Sequence, residues 1–381
     1  MNGSIQKTDR KNPWRARYRG PDGRERSQSF RTKVEAERWL RNQLSQTDRG
    51  AWVDPKAGDI SLQEWSTRWF AGLHDLKPKT VAGYESLLRS RVLPAFGGWK
   101  LRSIGPANVR EWVSGIVDCG ISPARIRQAR QVLHAMLEQA VVDGLISRNP
   151  CDRVKAPTVR PRRQIFLTAR DVAVLSEAVE TRQNGAGALV LLLAWSGLRW
   201  GEAVALKVSA VDLEKRRVRV VEAASDVGGQ LVFGTPKTHE ARSVIVPRFV
   251  ADRLNAHMAD RDRDALVFTA PNGGPLRGSN FRLRVWQPAC STVDMPAGLL
   301  VHDLRDTAAS LMISAGASIK AVQRALGHAS AKMTLDTYGS LFEEDLENLA
   351  DRLEERFALA HAEAVGVKKV PIAPIHRWEA S

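Results

Sequence analysis

A proline-broken basic stretch divides this chain into two blocks of different rhythm. Between Arg148 and Arg170 lie seven Lys or Arg, one Asp and three prolines. Such a segment has no apolar face to bury, and proline denies it regular hydrogen bonding, so it reads as an extended, exposed linker able to lie along a phosphate backbone. Helical spacing dominates before it; helix and strand mix after it. The 381 residues leave room for two or three domains, and 43% hydrophobic residues suffice for ordinary cores. Lys and Arg total 57 against 42 Asp and Glu, a net charge of +15, which favours an anionic polymer as partner, most simply nucleic acid. Cys119, Cys151 and Cys290 are too scattered for a disulfide framework or a zinc-binding CxxC pair. The N-terminal residues lack a secretory apolar stretch, and the longest apolar run, Ala186 to Trp195, falls well short of a membrane span. A soluble intracellular protein with no membrane contact is expected.

Residues 1–57 form a small basic module. Its first 33 residues hold ten Lys or Arg and three Asp or Glu. In PWRARYR, Trp14, Ala16 and Tyr18 alternate with Arg15, Arg17 and Arg19, which places the apolar and the guanidinium side chains on opposite faces of a strand. Pro21-Asp22-Gly23 signals a turn into a second strand near Glu25 to Phe30, and KVEAERWLRNQLSQ reads as a covering helix. A row of arginines on a β-ribbon suits a DNA groove; the plainer reading is a solvated edge strand. Residues 61–150 read as a helical block, its last helix carrying Arg125 and Arg127 near its start. That block is either a bundle with a charged outer face or a helical DNA clamp.

Residues 165–360 read as a mixed domain. Helices are predicted at 169–180, 187–196, 200–207, 248–260, 279–289, 303–315, 318–326 and 340–360, with strands at 216–222, 230–233 and 242–246. Residues 361–381 are a tail too short and proline-broken to be a domain.

The chain has no Walker loop, GxGxxG, HExxH or GxSxG motif, which argues against an ATPase or metallopeptidase. What it offers is basic residues near helix starts, followed by a tyrosine. In SGLRWGE, Gly197 ends one helix and Arg199 opens the next, where free N–H groups already favour an anion; Glu202 lies three residues on. In HDLRDT, His302 and Arg305 share a helical face. LGHAS supplies His328, and Tyr338 follows ten residues later. TPKTHEARS supplies Lys237, the only lysine between Lys215 and Lys320. A phenol is a poor nucleophile unless cationic donors stabilise its oxyanion. Taken singly, each motif is as well explained by a surface ion pair, a chance HxxR, a solvated turn lysine or an interface tyrosine.

In this order the motifs resemble the tyrosine recombinases, or phage-type integrases, most strongly over residues 165–345. By that resemblance Arg199 and Arg305 are the two family arginines and Glu202 the acid supporting the first. Lys237 is the hairpin lysine, His302 the HxxR histidine and His328 the third His/Trp position. Tyr338 is the nucleophile. Many relatives carry His where Asp306 stands, outside the catalytic set, and the His328-to-Tyr338 spacing is one residue longer than in several members.

The resemblance implies a multidomain, mainly α fold with small β elements: an N-terminal β-hairpin or three-stranded module plus helix (1–57, arm-type DNA binding), a helical core-binding domain (61–150), a basic linker (151–164), and a mixed α+β catalytic domain (165–360). It implies site-specific DNA cleavage and rejoining through a 3′-phosphotyrosine, integrating a phage or mobile element into a host chromosome, with no cofactor and no metal. Arg199 and Arg305 would clamp the phosphate, Lys237 would protonate the leaving 5′-oxygen, and His302 would handle the tyrosine proton or help hold the phosphate. Arg15, Arg17, Arg19, Arg125, Arg127, Arg160, Arg162 and Arg163 are the expected DNA contacts. The implied partners are double-stranded DNA at core-type and arm-type sites, a homotetramer on synapsed DNA, and a DNA-bending host factor and an excisionase. The implied location is the host cytoplasm, at the nucleoid. The alternatives are a type IB topoisomerase-like relaxase and a catalytically inactive DNA-binding regulator on the same fold.

Overall fold

In the computed structural model, which describes residues 3–50, 52–160, 162–236, 241–347 and 349–365, the chain forms two units, Met1–Pro161 and Arg162–Ser381. Among the described residues no helix is long and apolar enough to cross a membrane.

The first unit opens with a three-stranded antiparallel sheet, β1 (Gly3–Lys7), β2 (Trp14–Arg19) and β3 (Glu25–Phe30), in the order β1-β2-β3. The alternation in β2 does what period two requires: Ala16 and Tyr18 are buried with Ala36 and Leu40 of α1 (Lys33–Asp48), and the arginines take the other face. The strand is not at an edge: β2 is paired on both sides and lies at the centre of the sheet. Thr32 and Glu35 close a reciprocal capping box at the start of α1, a device worth about 1 kcal/mol. The Tyr18 hydroxyl accepts from Trp52 Nε1 and donates to Gln43 Oε1, both at 2.9 Å.

The helical part comprises α2 (Leu62–Ala71), α3 (Pro78–Leu87), α4 (Leu93–Phe96), α5 (Pro106–Asp118) and α6 (Pro123–Val142). Leu133, Met136 and Leu137 of α6 are fully buried against Leu62 and Trp65, and Trp65 Nε1 donates to Met136 O at 2.9 Å. A π-helical turn, Leu88–Val92, joins α3 to α4 just before Pro94. Proline has no N–H and its ring crowds the carbonyl four residues back, so a widened turn lets the helix continue through it.

The second unit follows the predicted order of elements. Its helices begin with α7 (Ala169–Glu180), α8 (Ala186–Ser196) and α9 (Trp200–Val204). Helix α8 is apolar on nearly every side and buried accordingly, at the centre of the core with Val172, Leu175 and Leu254. Then come β4 (Val211–Asp212), β5 (Arg217–Val220), β6 (Ala223–Val227), β7 (Gln230–Gly234) and β8 (Arg242–Ile245), in a β4-β5-β8 sheet and a separate β6-β7 hairpin. The remainder is α10 (Arg248–Met258), α11 (Gly278–Phe281), α12 (Gln287–Thr292), α13 (Asp303–Ser314), α14 (Ile319–Leu326), α15 (Ala331–Glu347) and α16 (Leu349–Val365). A second π turn, Arg282–Trp286, again precedes a proline, Pro288, and makes 278–292 one continuous helical run.

Four points differ from expectation. The helix at 200–207 stops at Val204, because Ala205 and Leu206 turn back into the core and Leu206 O accepts from Val267 N at 2.7 Å. Strand β6 was not anticipated; it turns at Gly228-Gly229, both at positive φ, to pair with β7. The helix expected at 340–360 begins nine residues earlier, at Ala331, and is two elements, α15 and α16. Thr, Asp and Gly in TLDTYG are weak helix formers, and here packing of Tyr338, Leu341 and Phe342 onto Ile313 and Val322 overrides propensity. The tail expected from residue 361 starts within α16; residues 366–381 lie outside the described residues.

Candidate active site

The site grows from two helix ends. Helix α8 stops at Gly197, whose φ of +69° is left-handed and where a Cβ would meet Leu326 Cδ2 at 2.5 Å. Helix α14 stops at Gly327, also left-handed, where a Cβ would crowd the Arg242 guanidinium. The two glycines bring the C-terminal ends of α8 and α14 close together, and Arg305 of α13 sits between those ends. Its guanidinium donates to Gly197 O and to Leu326 O. Arg305 is 4% exposed, and these carbonyls are its hydrogen-bond partners. Helix C-termini carry partial negative charge, which is how a buried cation is tolerated here with no carboxylate bound to it among the described residues. Burial, followed by repulsion from Arg199, lowers its pKa to about 10, so it stays charged at neutral pH.

Arg199 is the N-cap of α9. Glu202, in the first turn of that helix, accepts from Arg199 N at 2.9 Å and from Arg199 Nη1 at 2.9 Å. The same carboxylate takes both prongs of Arg242 from β8, at 2.9 and 2.7 Å. Burial pushes the Glu202 pKa up, but the Arg242 fork and the Arg199 N–H and charge outweigh it and hold it below the usual carboxylate range. Arg199 Nη2 reaches Gly327 O at 3.3 Å, and Arg242 Nε reaches Ala325 O at 3.3 Å, so both arginines also hold the turn that ends α14.

That turn delivers His328. Its Nδ1 is 3.0 Å from Thr334 Oγ1, and Gln323 fixes its backbone through bonds in both directions at 3.1 Å. Burial first, then Arg305, Arg199 and Arg242, depress the His328 pKa to about 4; the imidazole is neutral at pH 7 and can donate one hydrogen bond from Nε2. Its ring lies parallel to that of Tyr338, centroids 6.3 Å apart. Tyr338, 2% exposed, donates its hydroxyl proton to Asp306 Oδ1 at 2.6 Å. Burial first, then this carboxylate, raise the phenol's pKa well above its ordinary value, and Arg305 opposes them.

Arg199, Glu202, Arg305, His328 and Tyr338, singled out from sequence, thus meet around one cluster. His302 is exposed at the N-cap of α13, one turn before Arg305. Lys237 lies in 237–240, outside the described residues. Arg162 is bound within its own unit: its guanidinium forks onto Asp303 at 2.7 and 2.8 Å and donates to Gly298 O. Arg160 and Arg163 are exposed, as are Arg125 and Arg127 on α6. On β2, Arg15 reaches Ser27 Oγ at 2.8 Å, Arg17 lies 3.7 Å from Glu25, and Arg19 reaches Gly23 O at 3.3 Å. Sequence reasoning missed Arg242 and set Asp306 aside. Arg242 stands five residues beyond Lys237 in the same quoted motif, and only the β5-β8 pairing reveals that it reaches Glu202. Three guanidiniums against the carboxylates of Glu202 and Asp306 leave the cluster one positive charge in excess, suited to a phosphodiester.

Comparison with known proteins places the chain in a family. Residues 166–344 match the Phage integrase family, residues 1–49 a phage integrase N-terminal domain, and residues 61–117 a phage integrase N-terminal SAM-like domain. The chain is 31% identical over 354 residues to the integrase of Mycobacterium phage D29, covering 89% of this chain and 90% of the relative. It is 30% identical over 337 residues to the putative prophage phiRv2 integrase of Mycobacterium tuberculosis (strain ATCC 25618 / H37Rv), covering 84% and 87%. In fold it is similar to the Tn1549 transposon integrase in complex with a circular intermediate DNA, with TM-score 0.65, 20% identity, and 76% of this chain and 100% of that one covered. It is likewise similar to a lambda integrase dimer bound to a core site, with TM-score 0.58, 18% identity, and 87% and 93% covered. The chain belongs to the phage integrase family of tyrosine recombinases.

Proposed function

We propose that this integrase-family recombinase cuts and rejoins double-stranded DNA through Tyr338, integrating a phage or mobile element into a host chromosome. The observation that carries the assignment of residues is the convergence of Arg199, Arg305 and His328 on the turn beside the Tyr338 ring.

Attack by the phenolic oxygen on a backbone phosphorus forms a phosphotyrosine and releases a 5′-hydroxyl. A second 5′-hydroxyl reverses the step on a new strand. Each ester bond is exchanged for another, so no nucleotide hydrolysis is required. The five-coordinate transition state gathers negative charge on its non-bridging oxygens. Arg199 and Arg305, held in place before DNA arrives, stabilise that charge without reorganising, and neutral His328 adds a donor. Lys237 is assigned the proton for the leaving 5′-oxygen.

The three N-terminal divisions take the roles their composition supports: residues 1–57 for arm-type sites, 61–150 for core-type sites, and 151–164 as the basic connection. Solved relatives include a lambda integrase tetramer bound to a Holliday junction, and a tetramer on synapsed DNA is the working assembly assigned here. A DNA-bending host factor and an excisionase are the accessory partners assigned to it.

A nicked suicide substrate tests the reading. The wild-type chain is expected to form a covalent adduct whose peptide map places the DNA on Tyr338, and Tyr338→Phe is expected to form none while binding DNA with unchanged affinity. An adduct on another residue refutes the assignment.

A further inference from the structure

Among the described residues the hydroxyl of Tyr338 has one hydrogen-bond partner, and it is not the histidine of the HxxR pair. It is Asp306, the residue after Arg305, at 2.6 Å. That distance is characteristic of an O–H group donating to a charged carboxylate. His302 stands exposed one turn away. We propose that Asp306 is a catalytic residue of this recombinase, the group that accepts the phenolic proton of Tyr338 as the phosphotyrosine forms and returns it as the strand is rejoined. This rests on the reading of Tyr338 as the nucleophile.

Three observations support the role. A general base must lie within hydrogen-bond reach of the proton it takes, and Asp306 already does. Tyr338 is almost wholly buried, so bulk water does not compete for its proton, and a buried phenol needs an acceptor built into the protein. Asp306 also lies in the first turn of α13, where the helix favours an anion and holds the carboxylate ready. Among the described residues, the charged and titratable groups facing the pair are Arg305 on the same helix, Arg162, whose guanidinium senses the Asp306 charge and is itself held by Asp303, and the depressed imidazole of His328. Arg305 opposes the upward push of Asp306 on the phenol.

The step balances. The Tyr338 Oη–P bond forms and the P–O5′ bond breaks. The phenolic proton passes to Asp306, and the leaving 5′-oxygen takes a proton from the second donor, assigned above to Lys237. Rejoining runs the same transfers backwards, so the carboxylate is regenerated. A carboxylate is a weak base for a free phenol, but the transfer accompanies P–O bond formation, which makes the phenolic proton steadily more acidic.

The experiment is single-turnover adduct formation on the suicide substrate across the neutral to alkaline range, with wild type, Asp306→Asn, Asp306→His and Tyr338→Phe. Asparagine is nearly isosteric and leaves the phenol an oxygen to donate to, but it cannot take a proton. Asp306→Asn is expected to slow cleavage by roughly 10²-fold or more near neutrality, with the deficit shrinking as alkali ionises the phenol directly. Asp306→His restores an acceptor and is expected to recover about tenfold or more over asparagine. Melting temperature and core-site affinity are read on the same samples. If the asparagine variant fails those controls, Asp306→Ser against Asp306→His makes the same comparison. An asparagine variant that cleaves within about threefold of wild type, or faster, at every pH overturns the proposal. The two readings fail differently: an adduct in Tyr338→Phe removes the nucleophile assignment, whereas no adduct there with undiminished Asp306→Asn removes only the role of Asp306.

Discussion

Arg242 meets Glu202 through two parallel bonds, Nη1 to Oε1 at 2.9 Å and Nη2 to Oε2 at 2.7 Å, and the carboxylate between them and Arg199 is 1% exposed. A buried charge that loses its partner costs far more than the pair contributes, so Arg242→Ala is expected to destabilise the protein by about 3–5 kcal/mol. Arg242→Lys keeps the charge without the fork and is expected to fall between. Chemical denaturation of the three proteins checks the order.

The same carboxylate sets an acid limit. Its folded pKa lies below the ordinary value, so it contributes stability that is fully present above the unfolded glutamate range and is lost as pH falls through the folded value. The melting temperature of wild type is therefore expected to fall on acidification more steeply than that of Glu202→Gln, and the gap between them to close at low pH. A constant gap would contradict this.

Among the described residues no carboxylate is bound to Arg305, whose guanidinium donates to two main-chain carbonyls instead. Arg305→Lys cannot reach both carbonyls and loses the bidentate grip. Cleavage is expected to drop roughly 10²–10³-fold, with a much smaller loss of DNA affinity. Single-turnover adduct formation beside a binding isotherm separates the two effects.

His328 is expected to be neutral throughout the physiological range, because its pKa is about 4. A base held neutral by its fold loses stability as pH drops from the unfolded histidine value towards the folded one, since the unfolded chain takes the proton first. The imidazole resonances of His328 are expected to titrate only in that acid range, and His328→Gln to remove part of the acid-side loss of melting temperature. A chemical shift that titrates near neutrality would sink this.

The linker arginines divide by their partners. Arg162 is anchored by Asp303, which is 3% exposed and also accepts from Leu300 N at 2.7 Å; Arg160 and Arg163 are exposed. Arg162→Ala is expected to lower the melting temperature. Arg160→Ala and Arg163→Ala are expected to leave it unchanged, and each to reduce the salt slope of DNA binding by about one.

The residues that the sequence made visible were those whose roles depend on local position. Arg199 beside a helix start, the i,i+3 pair His302 and Arg305, and the alternation of Arg15, Arg17 and Arg19 can be read from neighbours alone. Arg242 could not: its value depends on β8 pairing with β5 and on Glu202 forty residues earlier. Asp306 stands outside the family's catalytic set, and its contact with the Tyr338 hydroxyl exists only because α15 lays Tyr338 against α13. The helix around Tyr338 was hidden because weak helix formers there are held by tertiary packing, a term that local propensity does not contain. The two prolines inside helical runs were equally unreadable, since a π turn is a response to crowding and has no residue signature of its own.

Because the anchor of Arg305 is main chain, no substitution of a neighbouring side chain can delete it. Its weak points are the two positions where the peptide path itself must stay left-handed. Gly197→Ala and Gly327→Ala are thus the changes by which a lineage would disarm the enzyme while every acid, base and nucleophile stayed intact in its gene, and a survey of decayed prophages should look for them there.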